Sequence, residues 1–253
     1  MSNALAIAQK ELRSYFSSPI GYVITGLFAL LFGWFFYNYL RYFVSSSEQM
    51  MQGGGTPNVN QHMISGLLQN AAVIILFVMP MITMRTYSEE KRSGTIELLL
   101  TSPVTDLEII LGKFFGAMGL YAAMLGVTLL YIGILFFLGN PEWKPIAAGY
   151  LGLLLMGGCF ISVGLLVSSL TKNQIVAGIA TFAVFLFLWV ISWIGENAGP
   201  TGREIVSYLS IVEHFGDFAR GVIDTKHLVY YLSFITFGLF LTAKSVDSER
   251  WRG

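Results

Sequence analysis

The amino-acid sequence predicts an all-α membrane protein with six transmembrane helices. Hydrophobic residues make up 55% of the 253 residues and charged residues only 12%, whereas soluble domains carry about 25% charged residues. A helix needs about 20 apolar residues to span a bilayer, and nearly charge-free apolar runs recur six times along the chain. The net charge is zero and no Lys/Arg block could follow a phosphate backbone, so we expect a lipid membrane and no nucleic acid as partner.

The six predicted spans form a single domain over residues 20–253. They lie near residues 20–40, 63–84, 114–139, 146–171, 173–195 and 228–243. Pro19 suits the first turn of the first span, and Pro80 should kink the second near its end. Because the sixth run is short, we expect its helix to extend into the flanking polar residues or to sit in a locally thinned bilayer.

Two further segments have the pattern of amphipathic helices. In residues 1–19, Leu5, Leu12 and Phe16 fall on one helical face, which predicts an interfacial helix, a plain spacer being the alternative. Residues 203–223 predict an outer amphipathic helix, whose apolar face includes Tyr208, Val212, Phe215 and Phe218. The Gly/Ser/Gln-rich residues 45–61 predict a mobile outer loop.

The positively charged residues predict the orientation of the chain. If both termini are cytoplasmic, ten of the 15 Lys and Arg residues lie on the cytoplasmic side and five on the outer side. Cytoplasmic loops carry an excess of Lys and Arg, so this distribution favours cytoplasmic termini and a cytoplasmic loop at residues 85–113.

That cytoplasmic loop concentrates charge between two long apolar runs. A charged side chain costs roughly 2.5–3.5 kcal/mol at the bilayer centre, so we expect four neighbouring charges to project into water. These are Glu89, Glu90, Lys91 and Arg92. Gly94 should end the helix that carries them, and a helix of about two turns, "TIELLLT", should follow before Ser102 and Pro103.

The next helix should begin at a capping box, since Thr105 and Glu108 have the spacing of one. The short helix before it carries exposed apolar residues bounded by acids, which suggests a docking surface. The candidate docking residues are Glu89, Glu90, Thr95, Ile96, Glu97, Leu98, Leu99 and Leu100. In the alternative interpretation, the acids only keep the loop solvated and the leucines pack against the chain's own N-terminal helix.

No catalytic or cofactor-binding pattern is present. The motif that cradles nucleotide phosphates is absent, since the one Gly-Lys pair, Gly112-Lys113, is followed by Phe114. The single Cys159 excludes an internal disulfide. We expect no metal site, because His62, His214 and His227 lack the spacing of ligands and border apolar segments as interfacial polar residues would.

Small residues predict where helices approach each other closely. They stand at helical spacing in two of the predicted spans or just before them, as Gly112, Gly116 and Gly119, and as Gly158 and Ser162. The predicted spans contain no central Asp, Glu, Lys or Arg, which disfavours proton-driven transport.

The run "SEEKRSGTIELLLTSPVTDLEIILGKFFG", from Ser88 to Gly116, resembles the first cytoplasmic loop of type-2 ABC exporter permeases. The segments "IAQKELRSYFSSPIGYV", "YLSIVEHFGDFARGVID" and "YYLSFITFGLFLTAKSVDSERWR" resemble the gliding-motility-associated branch, and more distantly the copper-maturation permease of nitrous-oxide reductase. The resemblance implies an N-terminal interfacial helix, six spans, a coupling helix between spans two and three, and an outer amphipathic or re-entrant helix before span six.

The resemblance also implies partners and a location. A separate cytoplasmic ATPase subunit would bind ATP and Mg, and a second permease subunit, identical or different, would complete a dimer in the cytoplasmic (inner) membrane, with room for an auxiliary outer-facing subunit. The expected function is that of an ABC exporter permease. The alternative is a non-transporting scaffold or mechanotransmitter driven by the same ATPase. A water-lined pathway would favour transport, and a dry dimer seam would favour the scaffold.

Overall fold

The computed structural model describes residues 2–52, 58–101, 103–196 and 208–250. Its helices are α1 (Ser2–Ser17), α2 (Pro19–Gln52), α3 (Ser65–Thr83), α4 (Ser88–Ser93), α5 (Thr95–Thr101), α6 (Asp106–Leu138), α7 (Trp143–Ser169), α8 (Gln174–Glu196), α9 (Ile211–Ala219) and α10 (Thr225–Arg250). A π-helical turn, Asn60–Ile64, leads into α3. Among the described residues, six helices are long and apolar enough to cross a membrane, as the sequence predicts.

The first span is longer than predicted. Helix α2 continues to Gln52, so residues 45–52 of the predicted mobile loop are helical, while residues 53–57 lie outside the described part. Ser45 and Ser46 bond back to the carbonyl oxygens of Tyr42 and Phe43, and the Glu, Gln and Met residues that follow are good helix formers. The prediction was wrong here because a serine-rich stretch without Gly or Pro can continue an existing helix.

The third and sixth spans also extend beyond their apolar runs. The capping box that starts α6 is confirmed: Thr105 accepts a bond from the Glu108 amide, and the Glu108 carboxylate accepts one from the Thr105 amide at 3.1 Å. Helix α6 therefore begins at Asp106, ahead of the predicted span at residues 114–139. Helix α10 takes in polar residues at both ends, as expected from its short apolar run.

Helices α3 and α7 occupy the centre of the bundle, and most of their residues are buried, whereas only a minority of the residues of α2, α8 and α10 are buried. Small residues let α10 lie close to α7. A Cβ added to Gly158 would lie 2.8 Å from the Ile235 side chain, and one added to Gly238 would lie 2.6 Å from the Ser162 oxygen. Gly158 and Ser162 thus line the contact between α7 and α10.

Both described ends of the chain lie at the same end of the bundle. Glu11 of α1 contacts Lys113 at the start of α6, and Glu249 near the end of α10 contacts Lys91 of α4. We call this the α5 end. The opposite end carries α9, where Gly221 packs against Pro145 at the start of α7. An even number of spans returns the chain to the side on which it started.

Candidate functional site

The α5 end holds the segment that the sequence predicts to be a docking surface. Helix α4 ends at Gly94, which adopts the left-handed conformation with φ 74°, and α5 follows directly. Both the helix stop at Gly94 and the short helix after it are as predicted. Because a left-handed residue turns the chain sharply, α5 leaves the line of α4 and does not continue it.

The exposed side of α5 includes an apolar residue. Leu98 is 73% exposed, Glu97 and Thr95 are exposed, and Ile96 is half-buried against the core. The side chains of Leu99 and Leu100 lie outside the described part. The alternative in which the leucines are covered by the N-terminal helix therefore does not hold for Leu98.

A buried lysine ties α4 to two other helices. The Lys113 side chain on α6 is 1% exposed, and its ammonium lies 2.8 Å from the Glu90 carboxylate and 3.0 Å from the Glu11 carboxylate. It also donates to the Thr86 carbonyl oxygen at 2.9 Å. An ammonium has three N–H donors, and each has an acceptor here. The lysine thereby fixes α1, α4 and α6 relative to one another.

A second lysine joins α4 to the opposite side of the bundle. Lys91 is 7% exposed, and its ammonium contacts the Glu249 carboxylate of α10 and the Ser169 carbonyl oxygen at the end of α7. A buried ammonium is tolerated when it is paired and hydrogen-bonded, as Lys91 is. Helix α4 is therefore held on both sides by ion pairs.

The expectation that four charges project into water was wrong for two of them. Glu90 and Lys91 face inward into these ion pairs, while Glu89 and Arg92 are exposed as expected. The high energy of a charged side chain in the bilayer interior requires only that these charges avoid lipid. Opposite charges on α1, α6 and α10 satisfy that requirement inside the protein, and those partners lie far away in the sequence.

Helix α1 is seated on the glycines of α6. A Cβ added to Gly116 would lie 2.5 Å from the Cβ of Glu11, one added to Gly112 would lie 2.6 Å from Ile7, and one added to Gly119 would lie 3.3 Å from Leu12. These three glycines therefore admit the N-terminal helix. Of the predicted apolar face of α1, Leu12 and Phe16 pack against the core, whereas Leu5 is 73% exposed, and Ile7 and Glu11 add contacts to α6.

A tyrosine and an arginine strengthen the attachment of α1. The Tyr15 hydroxyl donates to the Ile82 carbonyl oxygen near the end of α3 at 2.9 Å, and burial raises the pKa of Tyr15 to about 12. The Arg85 guanidinium stacks over the Tyr15 ring at 4.8 Å and donates to the Ser14 hydroxyl. Tyr15, Lys113 and Glu11 were not among the predicted site residues. Their signal was the set of glycines that flank Lys113 on α6, which requires a closely packed partner helix.

A polar cleft of about 300 Å³ lies beside α5. Its walls come from α1, α4, the turn between α3 and α4 and the first residue of α5, and include Lys10, Glu11, Arg85, Glu89 and Thr95. The exposed Leu98 lies about one helical turn along α5 from Thr95, so an apolar residue and exposed charges of both signs stand at the same end of the bundle. This combination of an apolar residue with a charged rim is typical of protein-docking surfaces.

The outer helix packs differently from its prediction. Phe215 is 1% exposed and Phe218 is 0% exposed, and Phe218 lies against Gly152 of α7, where an added Cβ would be 2.5 Å from its own Cβ. Val212 is half-buried and Tyr208 is 63% exposed, while residues 203–207 lie outside the described part. The two phenylalanines thus belong to the protein core and do not seat α9 in the membrane. Sequence periodicity identifies an apolar face but cannot distinguish lipid from protein as its partner.

Two of the three histidines are likewise inside the protein. His214 is 6% exposed and His227 is 5% exposed, and their rings bond to each other, so the expectation of separate interfacial side chains was wrong. The side chain of His62 lies outside the described part. Among the described residues, no group of three His, Cys, Asp or Glu side chains could hold a metal ion.

Six apolar spans, with a short helix pair held by ion pairs at one end, are the architecture of a multi-pass membrane protein. The chain belongs to the ABC-2 family transporter proteins, since that family matches residues 5–242. It is a multi-pass transmembrane ABC transporter permease.

Two curated relatives support this assignment. The chain is 25% identical over 201 residues to the probable multidrug ABC transporter permease YbhR of Escherichia coli (strain K12), covering 73% of this chain and 54% of the relative. The protein of the same name from Escherichia coli O157:H7 matches with the same identity and coverage. The chain spans about half the length of the curated relatives it matches. The closer resemblance to the gliding-motility branch stays a prediction.

Proposed function

We propose that the chain is the permease subunit of an ATP-driven exporter and that a separate cytoplasmic ATPase docks at the α5 end. The observation that carries this proposal is the exposed Leu98, presented on a short helix beside helices fixed by buried ion pairs. An exposed apolar side chain on a rigid support loses little conformational freedom when a partner covers it.

The ion pairs provide a route by which docking would move the spans. A displacement of α5 reaches α4 through Gly94, passes to α1 and α6 through Lys113, and passes to α10 through Lys91. Closely packed helices that share ion pairs resist independent movement. A displacement of α5 should therefore move several helices together. The expected result is alternating access to a pathway between the spans of two permease subunits.

Partners and location follow from family membership and charge. ABC-2 permeases imply an ATPase, which would bind the ATP and Mg that this sequence has no motif to bind. The excess of Lys and Arg at the α5 end favours a cytoplasmic orientation of both termini in the inner membrane. Because the YbhR relatives are named as probable multidrug permeases, drugs are the first substrates to test.

The docking proposal is tested with the ATPase that co-purifies with the unaltered chain. A few buried apolar side chains usually supply most of the binding free energy of an interface. The double variant Leu98→Ala, Leu99→Ala should therefore weaken binding of the ATPase by about 2–4 kcal/mol. The matched control is Leu138→Ala, which truncates a leucine of similar exposure at the opposite end of the bundle. Normal recovery of the ATPase with a folded double variant contradicts docking at α5.

A transport assay separates the exporter from the scaffold. The purified complex in proteoliposomes should move substrate when ATP is supplied on the side of the α5 end. ATP hydrolysis without movement of any tested drug, in a complex that requires Leu98 for assembly, would favour the non-transporting scaffold.

A further inference from the structure

A chain of hydrogen bonds joins α9 to α10 at the end opposite α5. The Nδ1 atoms of His214 and His227 lie 2.6 Å apart, and Nε2 of His227 lies 2.9 Å from a carboxylate oxygen of Asp217. At the other end, Nε2 of His214 lies 3.0 Å from the carbonyl oxygen of Tyr208. We call this arrangement the histidine clasp.

The number of protons in the clasp follows from its terminal acceptors. A carbonyl oxygen only accepts, so Nε2 of His214 carries a proton. An ionised carboxylate also only accepts, so Nε2 of His227 carries one as well. If both rings were neutral, the two Nδ1 atoms would face each other with lone pairs at 2.6 Å, which is repulsive. A bond between them requires one further proton.

We propose that the histidine clasp holds this extra proton as an imidazolium–imidazole pair, and that its loss weakens the attachment of α9 to α10, which the bond from the Tyr231 hydroxyl to the Ile211 carbonyl oxygen still maintains. The proton belongs on His227, which is paired with Asp217, while His214 stays neutral and accepts from it. The Asp217 side chain is 40% exposed to solvent, so water can reach this end of the clasp. The clasp is therefore a proton-binding site at the end of the bundle opposite the α5 end.

The surroundings support this distribution of charge. Burial lowers the pKa of His214, the bond to the Tyr208 carbonyl raises it, and the charges of His227 and Lys226 lower it further. On α10, Lys226 pairs with Asp224 at 3.3 Å. The other groups packed around the two rings are the phenols of Tyr208, Tyr230 and Tyr231 and, from α7, the thiol of Cys159, which contacts the Tyr231 carbonyl oxygen.

Release of the clasp has a structural consequence. Phe215 and Phe218 stand on the same helix as His214 and are buried, and Phe218 fills a space against Gly152 of α7. When the proton leaves, the lone pairs of His214 and His227 repel, and α9 loses its charged attachment to α10. We therefore expect α9 to be held firmly against α10 at mildly acidic pH and less firmly at alkaline pH.

The first test reads the protons directly. The 253-residue chain, with ¹⁵N-labelled histidine and held in a lipid nanodisc, contains three imidazoles, and His62→Gln identifies the one outside the clasp. At mildly acidic pH, the clasp should show three protonated ring nitrogens, the two Nε2 atoms and one of the two Nδ1 atoms. Two neutral Nε2–H rings across the whole pH range overturn the proposal.

The second test reads the attachment of α9. Hydrogen exchange of the α9 amides, scaled to intrinsic rates, is compared at about pH 5.5 and about pH 8.5, on either side of the imidazole transition. Protection should fall about tenfold at the higher pH, as expected when a hydrogen bond to a charged group is lost. Equal protection at both pH values contradicts a proton-dependent clasp.

Two variants complete the test. Asp217→Asn removes the counter-charge from a part-exposed position and should shift the loss of protection to lower pH, while His62→Gln should leave the pH profile of the unaltered chain unchanged. An Asp217→Asn profile identical to that of the unaltered chain counts against the role of Asp217. Neither readout involves an ATPase, so a failed docking experiment leaves these results intact.

Discussion

The Lys113 ammonium lies 2.8 Å from the Glu90 carboxylate, although these residues belong to different helices and the lysine side chain is 1% exposed. Glu11 approaches the same ammonium at 3.0 Å. One positive charge therefore holds two carboxylates at the end of the bundle where α5 is exposed. Removing the lysine would leave two half-buried carboxylates without their counter-charge.

Lys113→Met should strongly destabilise the protein. Breaking a buried ion pair by removing one partner costs about 3–5 kcal/mol, because the remaining charges are left without compensation. The free energy of unfolding in mixed micelles measures the effect. Lys144→Met, at an exposed lysine at the opposite end, is the matched control and should be nearly neutral. Equal losses from the two variants would show that the Lys113 network does not stabilise the fold.

Gly116→Leu should displace α1 from α6. The glycine leaves only 2.5 Å between an added Cβ and the Cβ of Glu11, and overpacking costs about 1–3 kcal/mol. Trypsin cleavage after Lys10 should become faster, because α1 is no longer held.

The control for this prediction lies on the same helix. A Cβ added to Gly126 meets nothing within 4 Å, so Gly126→Leu should leave cleavage at Lys10 unchanged. Unchanged cleavage in the Gly116→Leu variant would argue against close seating of α1.

Phe218→Ser should destabilise the end of the bundle opposite α5. The ring is 0% exposed, and truncating a buried phenylalanine costs about 3–5 kcal/mol. Thermal unfolding of the full chain measures the loss. Phe137→Ser changes a ring that is 92% exposed and should have a much smaller effect. Similar melting temperatures for the Phe218→Ser variant and the unaltered chain would mean that α9 is not packed in the core.

Gly94→Ala should strain the corner between α4 and α5. Nothing lies within 4 Å of an added Cβ, so the cost comes from the backbone at φ 74° and amounts to about 1 kcal/mol. Gly216→Ala also meets nothing within 4 Å but lies within α9, where the same change should be stabilising. Denaturant unfolding of the two variants should therefore shift in opposite directions. A shift in the same direction would contradict the left-handed corner.

Single-cysteine labelling should establish the orientation. In a Cys159→Ser background, a membrane-impermeant maleimide added to intact cells should modify Lys144→Cys and leave Arg92→Cys unmodified, since both positions are exposed but lie at opposite ends of the bundle. Permeabilised cells should label both. Labelling of position 92 in intact cells would reverse the proposed topology.

The sequence by itself determined the membrane class, the six spans and the start and stop of α5. Each of these depends on composition or on neighbouring residues: an apolar run is long enough to cross a bilayer, Gly94 stops a helix, and Thr105 with Glu108 starts the next. Local chemistry does not depend on where the rest of the chain lies, so these features can be predicted from sequence. The extension of α2 was missed because serine-rich residues are compatible with both a loop and a helix.

Only the tertiary structure decided which side chains face each other. The sequence places Glu90 and Lys91 in a charged loop but does not reveal that Lys113 and Glu249 neutralise them. It shows an apolar face in α9 but cannot tell that α7, and not lipid, covers Phe218. Such contacts join residues distant along the chain, and their energies depend on helix positions that packing alone fixes, because a buried charge or ring is stabilised only by whatever atoms surround it.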